Sequence, residues 1–139
     1  MSMNQVLVES QIGAQEPLRC RAWGEYRERG HRGRLSFEWA PDPERPEEKA
    51  EERLDLEWEA PGVLRRVLRR QAGTQMEFIP GQQTEGCLAT PAGALPLLVE
   101  TERALLEKGK ESLCLTLQYR LILAGEDQGR ARLKVTLLY

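Results

Sequence analysis

The sequence predicts an all-β chain, an antiparallel up-and-down barrel of about eight strands forming a single domain over residues 1–139. The strongest sign is its last stretch, where Leu113, Leu115, Leu117, Tyr119, Leu121 and Leu123 occupy every second position, with polar residues mostly between them. Side chains of an extended chain alternate between faces, so this is a half-buried strand. A turn-forming run at 124–129 follows, and then Ala131, Leu133, Val135, Leu137 and Tyr139 resume the alternation against Arg130, Arg132, Lys134 and Thr136. A hairpin alone is marginal in water, so the remaining residues must supply strands that cover its apolar face. They contain short alternating segments separated by turn signals, and no room for a substantial helix.

Taken in order, Val6, Val8, Ser10 and Ile12 mark a first strand, and Pro17 a turn. Leu18, Cys20, Ala22, Gly24 and Tyr26 form the inward side of a long second strand, with Gly24 a place for a bend or bulge. Leu35, Phe37 and Trp39 mark a third strand, which stops at Pro41. The Pro- and Glu-rich run 41–49 carries three prolines and no large apolar residue, which makes it a surface loop. A fourth strand holds Leu54, Leu56 and Trp58 opposite Asp55, Glu57 and Glu59.

Residues 63–70 read two ways. Val63, Leu64, Val67 and Leu68 have helical spacing, and Gly73 could end such a helix. As a strand after a Pro61-Gly62-Val63 hairpin loop, the segment sets Ala60 opposite Leu64, Trp58 opposite Arg66 and Leu56 opposite Leu68. Glu59 then faces Arg65 and Asp55 faces Arg69, bringing opposite charges together. This pairing favours the strand, with Arg66 and Arg70 pointing inward. A short strand at 74–79 ends at Pro80-Gly81. Residues 86–107 form an alternating strand with a bend or bulge at Thr90-Pro91-Ala92-Gly93; one helical turn capped by Thr101 is the competing reading of 101–106. The tally of eight or nine strands closes most simply into a barrel, which removes the sheet edges.

Composition narrows the function more by exclusion than by indication. Charged residues are 30% of the chain and the net charge is -2, so neither disorder nor a globally basic nucleic-acid binder is indicated. No run approaches the roughly 18 apolar residues of a membrane span, and the N-terminal residues lack the pattern of a secretory signal, so no membrane partner and a cytoplasmic home are expected. Cys20, Cys87 and Cys114 are widely spaced and odd in number, and read as small apolar residues rather than a disulfide framework or, with His31, a zinc site. His31 sits in a glycine-rich turn. No nucleophile-base spacing or phosphate loop occurs, so the expectation is a non-enzymatic protein without metal or cofactor.

Gly81 followed by Thr90-Pro91-Ala92-Gly93, then Leu95, Leu97, Val99 and Thr101, a Lys108-Gly109 turn and Leu115-Thr116-Leu117-Gln118-Tyr119 resembles the YwiB-like family of small bacterial proteins of unknown function. Arg70-Gln71-Ala72-Gly73 and Met76-Glu77-Phe78 extend the resemblance, which is best over residues 70–139. Cys87 stands where the family more often has an aromatic residue, and 41–49 looks like an insertion. The resemblance implies a calycin-like, eight-stranded meander barrel, with no activity or agreed functional residues attached.

Two functional expectations follow. In the first, the barrel mouth binds a small amphipathic or anionic ligand near Arg66, Arg70, Trp58 and Tyr119, because a cation turned inward needs an anion. In the second, the outer surface meets a protein or nucleic-acid partner; nucleic acid is disfavoured, because the arginines of 65–70 and 19–34 have acidic neighbours to pair with. A homodimer is also expected, through Leu7, Leu98, Ile122 and Leu138, apolar residues on outward faces that would join into one patch.

Overall fold

A computed structural model describes residues 3–39 and 52–139. The expected 41–49 loop lies outside the described residues. Ten strands form a closed antiparallel meander: β1 (Met3–Ile12), β2 (Leu18–Arg29), β3 (Arg32–Trp39), β4 (Glu52–Glu59), β5 (Arg66–Gln71), β6 (Thr74–Phe78), β7 (Gln83–Thr90), β8 (Gly93–Lys108), β9 (Ser112–Leu123) and β10 (Glu126–Leu138). Each strand pairs with the next in sequence, and β1 closes the cylinder against β10, with Val6 opposite Leu137 and Val8 opposite Val135. The C-terminal pair is the hairpin read from the sequence, with Leu117 opposite Leu133 and Tyr119 opposite Ala131. Its turn is tighter than expected. Ala124 and Gly125, with φ of 49° and 83°, suffice to reverse the chain, and the residues after them form a bulge at 127–130.

The count exceeds the expected eight chiefly at 83–108. Pro91 and Ala92 are not a bend within one strand. They are a hairpin turn with Thr90 opposite Gly93, so the segment becomes β7 and β8. Residues 101–106 continue β8 as strand, with a bulge between Thr101 and Arg103 in place of the helical turn.

Residues 66–71 are strand rather than helix, but the register differs by one residue from the one the charges suggest. Trp58 faces Val67, Leu56 faces Arg69, Glu59 faces Arg66 and Asp55 faces Arg70. The connection is longer than a three-residue hairpin: the Arg65 N–H donates to the Glu59 carbonyl at 2.8 Å, so residues 60–64 all lie in the loop, where Leu64 is 5% exposed and Val63 79% exposed. Burying one leucine is worth roughly 1.5–3 kcal/mol. The slip satisfies the charges equally well, since β5 alternates pairs of arginines. It also exchanges the two faces of the strand: Val67, Arg69 and Gln71 point inward, and Arg66, Leu68 and Arg70 point outward.

The core runs the length of the cylinder, with Leu35, Phe37, Leu54, Leu56, Val67, Phe78, Leu97, Val99, Leu117 and Leu133 fully buried. The seam between β6 and β7 is thin. Gln75–Cys87 is its one paired position. Side chains bridge the rest: the Thr84 hydroxyl donates to the Glu77 carbonyl, the Ala89 N–H donates to Thr74 Oγ1 at 3.2 Å, and Cys87 Sγ donates to the Gly73 carbonyl at 3.6 Å.

Gly33 lies opposite Trp58, and a Cβ there would fall 2.3 Å from the indole. Gly33→Ala should therefore lower stability by about 1–3 kcal/mol through overpacking, read from urea unfolding. In a Trp58→Leu background the same change should cost much less; an equal cost in both backgrounds would rule out the indole contact as its cause.

Candidate functional site

The two ends of the barrel differ. At the end bearing the 60–65 connection, Leu64 folds over the core and Trp58 stacks on Tyr26 with centroids 6.0 Å apart. The Tyr26 hydroxyl donates to Glu28 Oε2 at 2.9 Å, and Lys108 of β8 pairs with the same carboxylate, tying β2 to β8 across the mouth. Lys108, and after it Tyr26, holds the Glu28 carboxyl below its usual range. Beneath this cap the cavity bounded by Leu35, Leu56, Trp58, Leu113, Leu115, Val135 and Leu137 is only about 10 Å³. That is a filled interior.

The opposite end carries apolar side chains that the core does not cover. Ile12, Leu18 and Leu95 share the faces of the buried Val8, Cys20 and Leu97, yet are 42%, 53% and 37% exposed. Leu88, Leu121 and Leu123 beside them are half-buried. On the inner face of β5 the half-buried Arg69 donates from Nη2 to Gln71 Oε1 at 3.0 Å and hydrogen-bonds Tyr119. Its partners among the described residues are thus neutral. Tyr119 packs edge-on against Phe78 at 4.8 Å, and Thr101 lies opposite it in the β8–β9 ladder. Thr101 is 3% exposed, and its hydroxyl has no hydrogen-bond partner among the described residues.

The four residues expected to form a ligand site are therefore not brought together. Trp58 and Tyr119 are core residues, each 4% exposed, while Arg66 and Arg70 lie on the outer face. Arg66 Nε donates to Glu77 at 2.7 Å, and Arg70 lies 3.8 Å from Glu57. The one-residue shift is the physical reason, and it turns Arg69 and Gln71 inward; these two, and Thr101 of β8, are residues that the sequence reading did not place at a site. No signal in the sequence separates the two registers, because Arg65-Arg66 and Arg69-Arg70 match the acidic strand in either one.

On the outer face β4 serves as an acidic ladder between basic neighbours. Arg32–Glu59, Arg34–Glu57 and Arg53–Asp55 approach within 3.8, 3.7 and 3.6 Å, in keeping with the pairing expected from sequence. A groove of about 360 Å³ on this face gathers Arg27, Arg29, Arg32, Arg34 and Arg66 against Glu57 and Glu59, with Leu68 among its lining. The apolar outward residues do not join into one patch. Leu138 faces Gln5 and Ser112, whereas Ile122 pairs with Leu98. Ser112 and Ile122 lie ten positions apart on β9, roughly 33 Å of strand. Leu7 and Leu138 are diagonal neighbours, joined by Trp23 at 64% exposure and Met3 at 51%.

No cysteine forms a disulfide. Among the described residues no group of three or more His, Cys, Asp or Glu could hold a metal ion, and no helix is long and apolar enough to cross a membrane.

The family model of a domain of unknown function, DUF1934, matches residues 5–135. This chain belongs to that family. The DUF1934 match takes in most of the region that carried the sequence resemblance and the N-terminal strands that did not. The chain is similar in structure to the YwiB protein from Bacillus subtilis, whose crystal structure gives a TM-score of 0.72 at 17% identity, covering 98% of this chain and 89% of that one. At that identity the likeness carries the DUF1934 fold, a closed β-barrel. No curated protein matches.

Burial is the leading cause that pushes both Tyr26 and Tyr119 above the ordinary phenol value of 10.0; donation to Glu28 adds to it at Tyr26, while Arg69 opposes it at Tyr119. The folded state thus holds these protons more tightly than the unfolded chain does. Their stabilisation is complete below pH 10 and declines as pH rises beyond it. Urea midpoints measured from pH 8 to 11.5 should fall at the alkaline end, and Tyr26→Phe with Tyr119→Phe should flatten the fall. An unchanged slope in the double variant would exclude these two phenols as its source.

Proposed function

We propose that this protein is a non-enzymatic, cytoplasmic binding module whose calycin-like barrel receives a small amphipathic ligand through the end opposite Leu64. The observation that carries the reading is the contrast between the ends: one closed by Leu64, the Tyr26–Trp58 stack and the Lys108–Glu28 pair, the other edged by exposed Ile12, Leu18 and Leu95. Apolar side chains left uncovered at one end, with a few polar groups deeper in, are the usual make-up of a small-molecule site. Three cysteines without a disulfide suit a reducing compartment.

A second reading uses the outer surface. The arginine groove favours it, with five arginines against two glutamates in its lining. One experiment separates the two. N-phenyl-1-naphthylamine, a neutral apolar fluorophore, should brighten saturably with the protein, and Leu18→Glu combined with Leu121→Glu should weaken its binding about tenfold or more, a loss of about 1.4 kcal/mol. Arg66→Glu should leave it unchanged. Binding that follows Arg66 rather than Leu18 and Leu121 would transfer the site to the groove, and absence of saturable binding would refute the open-end reading.

Self-association is a further part of the proposal, through the outer face at Met3, Leu7, Trp23 and Leu138. Light scattering should then report twice the 15.9 kDa chain mass, reverting to one on Leu138→Glu. A single-chain mass at micromolar concentration would refute it.

A further inference from the structure

We infer that Arg69, Gln71, Tyr119 and Thr101 form the head-group site for a long-chain monocarboxylate, its hydrocarbon tail lying along the open end; this rests on the open-end reading above. The starting point is an imbalance inside the barrel. Arg69 lies on the inner face between Leu56 and Met76, and its partners among the described residues are the Gln71 side-chain oxygen at 3.0 Å and Tyr119. Both are neutral. A half-buried guanidinium with no anion among the described residues forgoes most of what would offset its desolvation. It carries five N–H donors in a planar fork, so donors remain after these two bonds, and a carboxylate is the group whose two coplanar oxygens match the fork.

A second, independent observation lies across the β8–β9 ladder. Thr101 is 3% exposed, and its hydroxyl has no partner among the described residues. A buried hydroxyl left unpaired is costly, so an acceptor brought beside it supplies the missing hydrogen bond. Thr101 faces Tyr119, and Tyr119 is the residue that Arg69 bonds. Burial keeps the Tyr119 phenol protonated well into alkaline conditions, which leaves its O–H able to donate while its oxygen accepts from Arg69. Guanidinium, phenol and hydroxyl together form a donor set with one positive charge.

Charge and wall chemistry then choose the ligand. One cation neutralises one anionic charge; a phosphomonoester dianion would carry a second charge into apolar surroundings at high cost. The side chains between this site and solvent, Leu88, Leu121 and Leu123, with Ile12, Leu18 and Leu95 beyond, are hydrocarbon. Together they fit an acyl chain.

The test is competition on the full chain at neutral pH, with dodecanoate and 1-dodecanol each displacing N-phenyl-1-naphthylamine. Dodecanoate should bind about tenfold tighter than the alcohol. Arg69→Met should abolish that preference without weakening the alcohol, Arg69→Lys should restore part of it, and Thr101→Val should reduce dodecanoate binding several-fold. If Arg69→Met does not fold, the Lys and Val variants decide. Equal binding of acid and alcohol, or a preference indifferent to these substitutions, overturns the head-group site while the open-end reading stands. Failure of both ligands and the fluorophore to bind overturns that reading itself.

Discussion

Closure of the sheet on itself is the constraint on which the other features depend. A strand with an unpaired side exposes a row of donors and acceptors to any passing chain, and the β1–β10 ladder removes both free edges together by setting Val6 and Val8 against Leu137 and Val135. Once the cylinder is closed, every strand has one face to the inside, and the alternation of the sequence becomes a division between core and surface. Phe37, Phe78 and Leu117 fill the inside without a disulfide, while the acidic outer face of β4 serves as counter-charge to β3 and β5.

Alternation made most of this legible in advance. The terminal hairpin, the inward sides of β1 to β4 and the charge ladder around Asp55, Glu57 and Glu59 follow from period-two patterning, which needs no knowledge of partners. The strand identity of residues 66–71 also followed, because the charges of β4 and β5 match.

The phase of β5 did not. Arg65, Arg66, Arg69 and Arg70 come in adjacent pairs, so charge matching satisfies two registers equally. The choice between them is made by the length of the 60–65 connection, which holds Leu64 in the loop and buries it across the closed end, a tertiary event with no local signature. The error was confined to one strand, yet it decided which arginine lies inside. The turn at Pro91 is ambiguous in the sequence for a related reason: proline and glycine interrupt a strand equally well as a bulge or as a reversal, and the partner strand determines which. The outward leucines were read correctly as outward and wrongly as one patch, since position along β9 depends on register rather than on alternation.

The thin seam between β6 and β7 gives the closed cylinder a hidden edge. Elsewhere, as between β9 and β10, a long run of backbone pairs must break together before neighbouring strands part. Along β6–β7 the threonine hydroxyls of Thr74 and Thr84 and the Cys87 thiol stand in for most of that run. Side-chain bonds can release singly, without the cooperativity of a ladder. Local opening with the rest of the fold intact costs least where backbone pairing is sparse, so amide protons along this seam should exchange with solvent ahead of those in the terminal hairpin. The barrel has in effect a built-in slit, narrow at rest, whose width is governed by three small side chains rather than by the sheet.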